Sequence, residues 1–118
     1  MAVLGVSITT TRLRDAVFEI TPAGELDLHE APALERAFDE AARAGARRVL
    51  VDLCAVPFLD STVLGVLVAA ARRFDPLVLA VGDVRVLRVL EITGLDRKLR
   101  IERSRAEALE LLSAVARS

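Results

Sequence analysis

Asp60, Ser61 and Thr62 stand side by side just before an apolar run, Val63 to Ala71. Short side-chain oxygens in that position accept hydrogen bonds from the free N–H groups of a first helical turn, so the triplet predicts a helix start. The same turn carries partial positive charge and unpaired donors, and it could accommodate a phosphoryl group on its own hydroxyls. By local chemistry alone, a plain helix cap is the simpler account of the three residues. Glu25 and Asp27 form a second acidic group after Gly24. They are expected to face opposite ways and to be exposed loop charges, not paired carboxylates for acid–base work.

The rest of the inventory is poor in chemistry. His29 is the one histidine, and no second histidine or nearby cysteine completes a metal site around it. Cys54 is the one cysteine, expected to be small, buried and unreactive, and it excludes a disulfide within the chain. Isolated glycines make no phosphate loop. No enzyme, metal or cofactor is expected.

Charge and hydropathy narrow the partners. The 16 basic and 17 acidic residues nearly cancel, so no net field draws the chain onto nucleic acid or an anionic membrane. The basic pairs Arg47-Arg48, Arg72-Arg73 and Arg97-Lys98 fall at element ends, and there is no Trp or Tyr for base stacking. The longest apolar run is about half of the ~18–20 residues that cross a bilayer, which argues against membrane insertion. Met1 to Gly5 lacks the pattern of a secretory leader. A cytoplasmic binding module is the expectation.

These residues must be positioned by an α/β framework. Val6 to Thr9 and Phe18 to Thr21 alternate apolar and polar residues around a turn at Arg14-Asp15, predicting an N-terminal β-hairpin. Helical spacing runs from Pro32 to Ala44, with Gly45 placed to stop it. Val49 to Leu53 reads as a central buried strand and Leu77 to Val81 as another, with Asp75-Pro76 ending the intervening helix. Val84 to Ile92 is β-branched enough for a strand, yet Val86, Val89 and Leu90 share a helical face before Gly94. Ser104 and Glu107 make a capping box for a last helix carrying Ala108, Leu109, Leu112 and Val115. Strand and helix alternate in one domain, residues 1–118, with a mixed central β-sheet flanked by about four α-helices.

Gly24-Glu25-Leu26-Asp27-Leu28, then Val51-Asp52-Leu53, Phe58-Leu59-Asp60-Ser61-Thr62 and Leu90-Glu91-Ile92-Thr93-Gly94-Leu95 together resemble the STAS family, anti-sigma factor antagonist type, in order and spacing over nearly the whole chain. The resemblance implies the STAS fold, a four-stranded-core sheet after the hairpin, and a helix over Val84 to Ile92. It implies an unphosphorylated form that binds an anti-sigma factor with serine-kinase activity and so frees the sigma factor. Ser61 would be the phosphorylation site with Thr62 secondary, and a serine phosphatase would reverse the modification. Glu25, Asp27, Asp60, Ser61, Thr62 and Val63 would touch the partner. The family motif has glycine where this chain has Val63, whose branched side chain is expected to occupy space that a partner approaches. A constitutive interaction subunit of another assembly, such as a lipid-transport ATPase or a stressosome-like complex, is the alternative that Val63 would tolerate.

Overall fold

The structure, a computed structural model, describes residues 5–117, with the side chains described as far as Ala114. The first four residues, on which the reading of a missing secretory leader falls, and the Val115 side chain therefore lie outside the described residues. Five strands form one sheet in the order β1-β2-β3-β4-β5. β1 (Ser7–Arg14) and β2 (Val17–Ala23) are the antiparallel hairpin, whose turn places Asp15 at φ 37°, a conformation Asp tolerates. β3 (Arg48–Asp52), β4 (Leu77–Ala80) and β5 (Arg100–Glu102) then add in parallel. β5 is a fifth strand that the sequence did not announce: it has three residues, two of them charged, too short to show a period.

Because each parallel strand is added on the same side of the last, right-handed crossovers place the three connecting helices on one face of the sheet. These are α1 (Ala31–Arg43), α2 (Ser61–Ala71) and α3 (Val84–Ile92), and the ambiguous segment is thus a helix. Phe18, Ile20, Val49, Val51, Leu77 and Leu79 point to them and form the main core with Leu34, Phe38, Leu67 and Leu90. The alternate residues Val17, Leu50, Val78 and Ala80 point the other way, onto Ala108 and Leu112 of α4 (Arg105–Arg117). β3 and β4 are buried on both faces, which explains their unbroken apolar runs.

Local signals set the helix ends. At the end of α1 the Gly45 N–H donates to the Ala42 carbonyl and the Ala46 N–H to that of Ala41, with Gly45 at φ 98°, a Schellman closure that only a residue without a Cβ adopts freely. At α4 the Glu107 N–H donates to Ser104 Oγ at 3.1 Å, while the hydroxyl donates to Glu107 Oε1 at 3.0 Å. The capping box is half realised, since Glu107 holds the hydroxyl and not the Ser104 N–H.

α4 is pinned by a contact with no local signal. Glu19 is the one buried charged side chain among the described residues, and Arg105 Nε and Nη2 donate to its two oxygens at 2.6 and 2.9 Å. Glu19 faces the α4 side because it pairs with Leu50 of that face, and a bidentate guanidinium satisfies both its oxygens.

Candidate functional site at the carboxyl ends of the parallel strands

The loops after β2, β3 and β4 all emerge at the same end of the sheet, where open parallel sheets place their binding surfaces. Beyond β2 and β3 the chain continues as an irregular parallel pairing. The Gly24 N–H donates to the Ala55 carbonyl at 3.0 Å, the Leu26 N–H to the Phe58 carbonyl at 2.9 Å, and the Asp60 N–H to the Leu26 carbonyl at 3.1 Å. Leu26 and Leu59 point inward and are buried. Backbone bonds thereby zip the acidic segment Glu25 to Asp27 directly to the start of α2.

With Leu26 turned into the core, the residues on either side of it emerge at the surface. Glu25 is exposed and Asp27 partly so, which corrects the expectation of opposite faces: in an extended segment residues i and i+2 share a face. The Asp27 carboxylate accepts from the His29 N–H at 2.8 Å and lies beside the Glu30 carboxyl. Hydrogen bonding to Glu30 and to the His29 N–H holds Asp27 below the usual carboxylate range, and the same neighbour raises Glu30. His29 itself is exposed.

At the start of α2, Asp60 is the N-cap and its Oδ1 accepts from the Val63 N–H at 3.1 Å. Ser61 and Thr62 follow as the first two helical residues, both exposed. In that first turn their N–H groups have no intrahelical acceptor. The cap reading therefore holds for Asp60, and among the described residues no side-chain hydrogen bond engages the hydroxyls of exposed Ser61 and Thr62. Thr62 borders a groove of about 280 Å³ between α1 and α2, lined also by Glu35, Phe38, Gly65 and Arg73.

Val63 behaves differently from expectation. It is fully buried, packed with the core beneath α2. Its side chain cannot touch a partner, because at the third helical position the residue turns under the helix toward the sheet. Val63 is thus a core residue, and Ser61 and Thr62 make the outer surface of the helix start.

Cys54 also departs from expectation: it is exposed, in the loop after β3. Partial burial of the sulfur and the neighbouring Asp52 carboxylate push its thiol above the ordinary value, so the exposed position does not make it a ready nucleophile. The Cys54 Sγ lies 3.5 Å from where a Cβ on Gly82 would sit, so this loop packs against the turn after β4.

Apolar residues complete the surface, and the sequence did not single them out. Leu28 and Phe58 are 56% and 48% exposed beside the zipped segments, and Val84 is 64% exposed at the start of α3. Phe58 and Val89, with Glu25 and Arg85, line a groove of about 230 Å³ between the loop and α3. Asp83 caps α3 by accepting from the Arg85 N–H at 2.8 Å, and its carboxylate also binds the Arg85 guanidinium at 2.7 and 3.0 Å. Those bonds hold Asp83 at about 2. The available signal for Phe58 was its place one residue out of phase with buried Leu59; Leu28, two residues beyond buried Leu26, carried no such signal, because there the chain has left the extended segment for the turn before α1. The face thus combines free hydroxyls at a helix start, carboxylates and exposed apolar side chains, the mixture expected of a protein-docking surface. Among the described residues no group of His, Cys, Asp and Glu could hold a metal ion. No described helix is long and apolar enough to cross a membrane.

Known proteins are similar to this chain in sequence and fold. The sequence profile of the STAS domain matches residues 9–108. An anti-sigma-B factor antagonist of Staphylococcus aureus is 34% identical over 97 residues, covering 78% of this chain and 88% of that protein. The crystal structure of an anti-sigma factor antagonist from Mycobacterium paratuberculosis superposes with a TM-score of 0.82 at 25% identity, covering 91% of this chain and 93% of the other. A candidate anti-sigma factor antagonist from Thermotoga maritima gives 0.76 at 30% identity, covering 84% and 89% of the two chains. The profile match spans most of the chain, the sheet order and helices agree with solved relatives, and the chain belongs to the STAS domain family.

Proposed function

We propose that this protein is a cytoplasmic anti-sigma factor antagonist, a binding module and not an enzyme, whose 118 residues act as one STAS domain. In its unphosphorylated form it binds an anti-sigma factor that is also a serine kinase, and the sigma factor is released. The names of its relatives support the first part, and the exposed Ser61 hydroxyl at the start of α2 carries the rest.

The partner supplies ATP. The Ser61 oxygen attacks the γ-phosphorus, the bond to the β-phosphate oxygen breaks, ADP leaves and the serine proton passes to a base of the kinase. Thr62 is the secondary acceptor. A serine phosphatase hydrolyses the ester and restores the binder. Docking uses Glu25, Asp27, Asp60, Ser61 and Thr62, with Phe58, Leu28 and Val84 as the apolar component. Burial of Val63 removes the main reason to prefer a constitutive subunit of another assembly.

A phosphoryl group on Ser61 adds about −1.5 to −2 charge beside Asp60 and the Glu25–Asp27 segment. Free N–H groups and the positive end of α2 offset this charge within the folded domain. A partner surface shaped for a neutral hydroxyl offers no such compensation, and a loss of about 2.8 kcal/mol weakens binding about a hundredfold. The test is a titration of the partner kinase with unmodified protein, phosphorylated protein, Ser61→Ala and Ser61→Asp, with circular dichroism on each. Tight binding by the unmodified and Ala forms and weak binding by the other two is expected; equal affinities for all four would reject the switch.

A further inference from the structure

The two edges of the sheet are treated differently. β5 is a three-residue edge whose end residues, Arg100 and Glu102, are charged, which are common devices against edge pairing. β1 is an eight-residue edge, and from Ser7 to Thr11 it holds neither a charge nor a proline. Among the described residues nothing pairs with its outer side.

The backbone direction of β1 follows from β2. The Ala16 carbonyl accepts from Arg48 and the Gly24 N–H donates to Ala55, so the even residues of β2 bond toward β3. The odd residues Glu19, Thr21 and Ala23 therefore bond toward β1, where their partners are Thr11, Thr9 and Ser7. Thr9 Oγ1 reaching the Thr21 carbonyl at 3.4 Å agrees with that phase. Pro22, which has no N–H, sits opposite Ile8. Ile8, Thr10 and Arg12 consequently direct their N–H and C=O groups outward, away from β2.

We infer that β1 is a homodimerisation edge: two copies pair antiparallel about a twofold axis through Thr10, making one continuous sheet. In this register Thr10 faces Thr10 of the second copy, Ile8 faces Arg12, and Thr9 faces Thr11. All three outward residues form hydrogen-bonded pairs and no like charges oppose each other. Arg12 of each copy comes to rest over Ile8 of the other. Ile8 lines a groove beside α1 that is also lined by Glu30, Arg36 and Glu40, two carboxylates to one guanidinium, so the incoming Arg12 meets a net negative charge. The contact is isologous and closes on itself. It runs along the side of the sheet and leaves the strand-end face around Ser61 open.

The test is sedimentation velocity of the whole chain from about 1 µM to 1 mM, with circular dichroism as the check on folding. Thr10 is exposed and pairs with Ile20 as a non-hydrogen-bonded pair whose backbone groups point away from β2, so Thr10→Lys and Thr10→Glu preserve the fold. A concentration-dependent dimer is expected for the native chain, monomers for each variant alone, and a heterodimer when the two variants are mixed. A native chain that stays monomeric, variants that each still dimerise, or a mixture without heterodimer would overturn the twofold pairing at Thr10.

Discussion

Restoring the family glycine by Val63→Gly tests whether this position belongs to the core or to the docking face. The side chain is 0% exposed. Deleting its isopropyl group withdraws three carbons from the core, about 2.4 kcal/mol at ~0.8 kcal/mol per buried carbon. The incompletely collapsed space and the weaker helix propensity of glycine raise the cost to about 3 kcal/mol. For a chain of this size that lowers Tm by roughly 12 °C. Urea unfolding followed by circular dichroism should show a lower midpoint with an unchanged slope, as expected when stability alone changes. At a temperature where the variant is folded, the partner kinase should phosphorylate Ser61 at the native rate, because the removed atoms never reached the surface. A loss below about 1 kcal/mol would show that Val63 is not in the core, and loss of phosphorylation in folded protein would return the position to the interface.

Arg105→Ala strips the buried Glu19 carboxylate of its bidentate partner and should cost about 1–3 kcal/mol, discounted for the half-exposed guanidinium; chemical denaturation measures it, and Glu19→Leu with Arg105→Leu should recover most of the loss. Asp83 has a folded value of about 2 against 3.8 for the free side chain, so its contribution is fully present above the higher value and fades as pH falls toward the lower. Asp83→Asn should therefore narrow its stability gap from the native chain between pH 4 and pH 2, and coinciding acid-unfolding curves would refute the Arg85 interaction. Phe58→Ala should weaken partner binding by about 1–2 kcal/mol with Tm unchanged, since the ring is half exposed; calorimetric titration reads it.

Sequence alone determined those features whose causes lie within one turn or one strand. Gly45 stops α1 because only a residue without a Cβ readily takes φ 98° there, and Asp60 starts α2 because its short carboxylate reaches the Val63 N–H. The unbroken apolar runs of β3 and β4 declared strands covered on both faces, and the spacing of four short segments carried the family. Tertiary structure decided whatever depends on direction and on distant partners. A first-turn residue can turn outward like Ser61 or inward like Val63, and only the sheet beneath α2 separates them. Glu19 looks like an ordinary polar strand residue until Arg105, 86 positions away, arrives on α4. Three-residue β5 is a strand only because β4 offers it hydrogen bonds. Phe58 stands out of phase with buried Leu59, Leu28 lies in the turn before α1, and packing left both side chains at the surface. Hydropathy along a chain records how much apolar area is available, and the geometry of close packing chooses which of it is hidden.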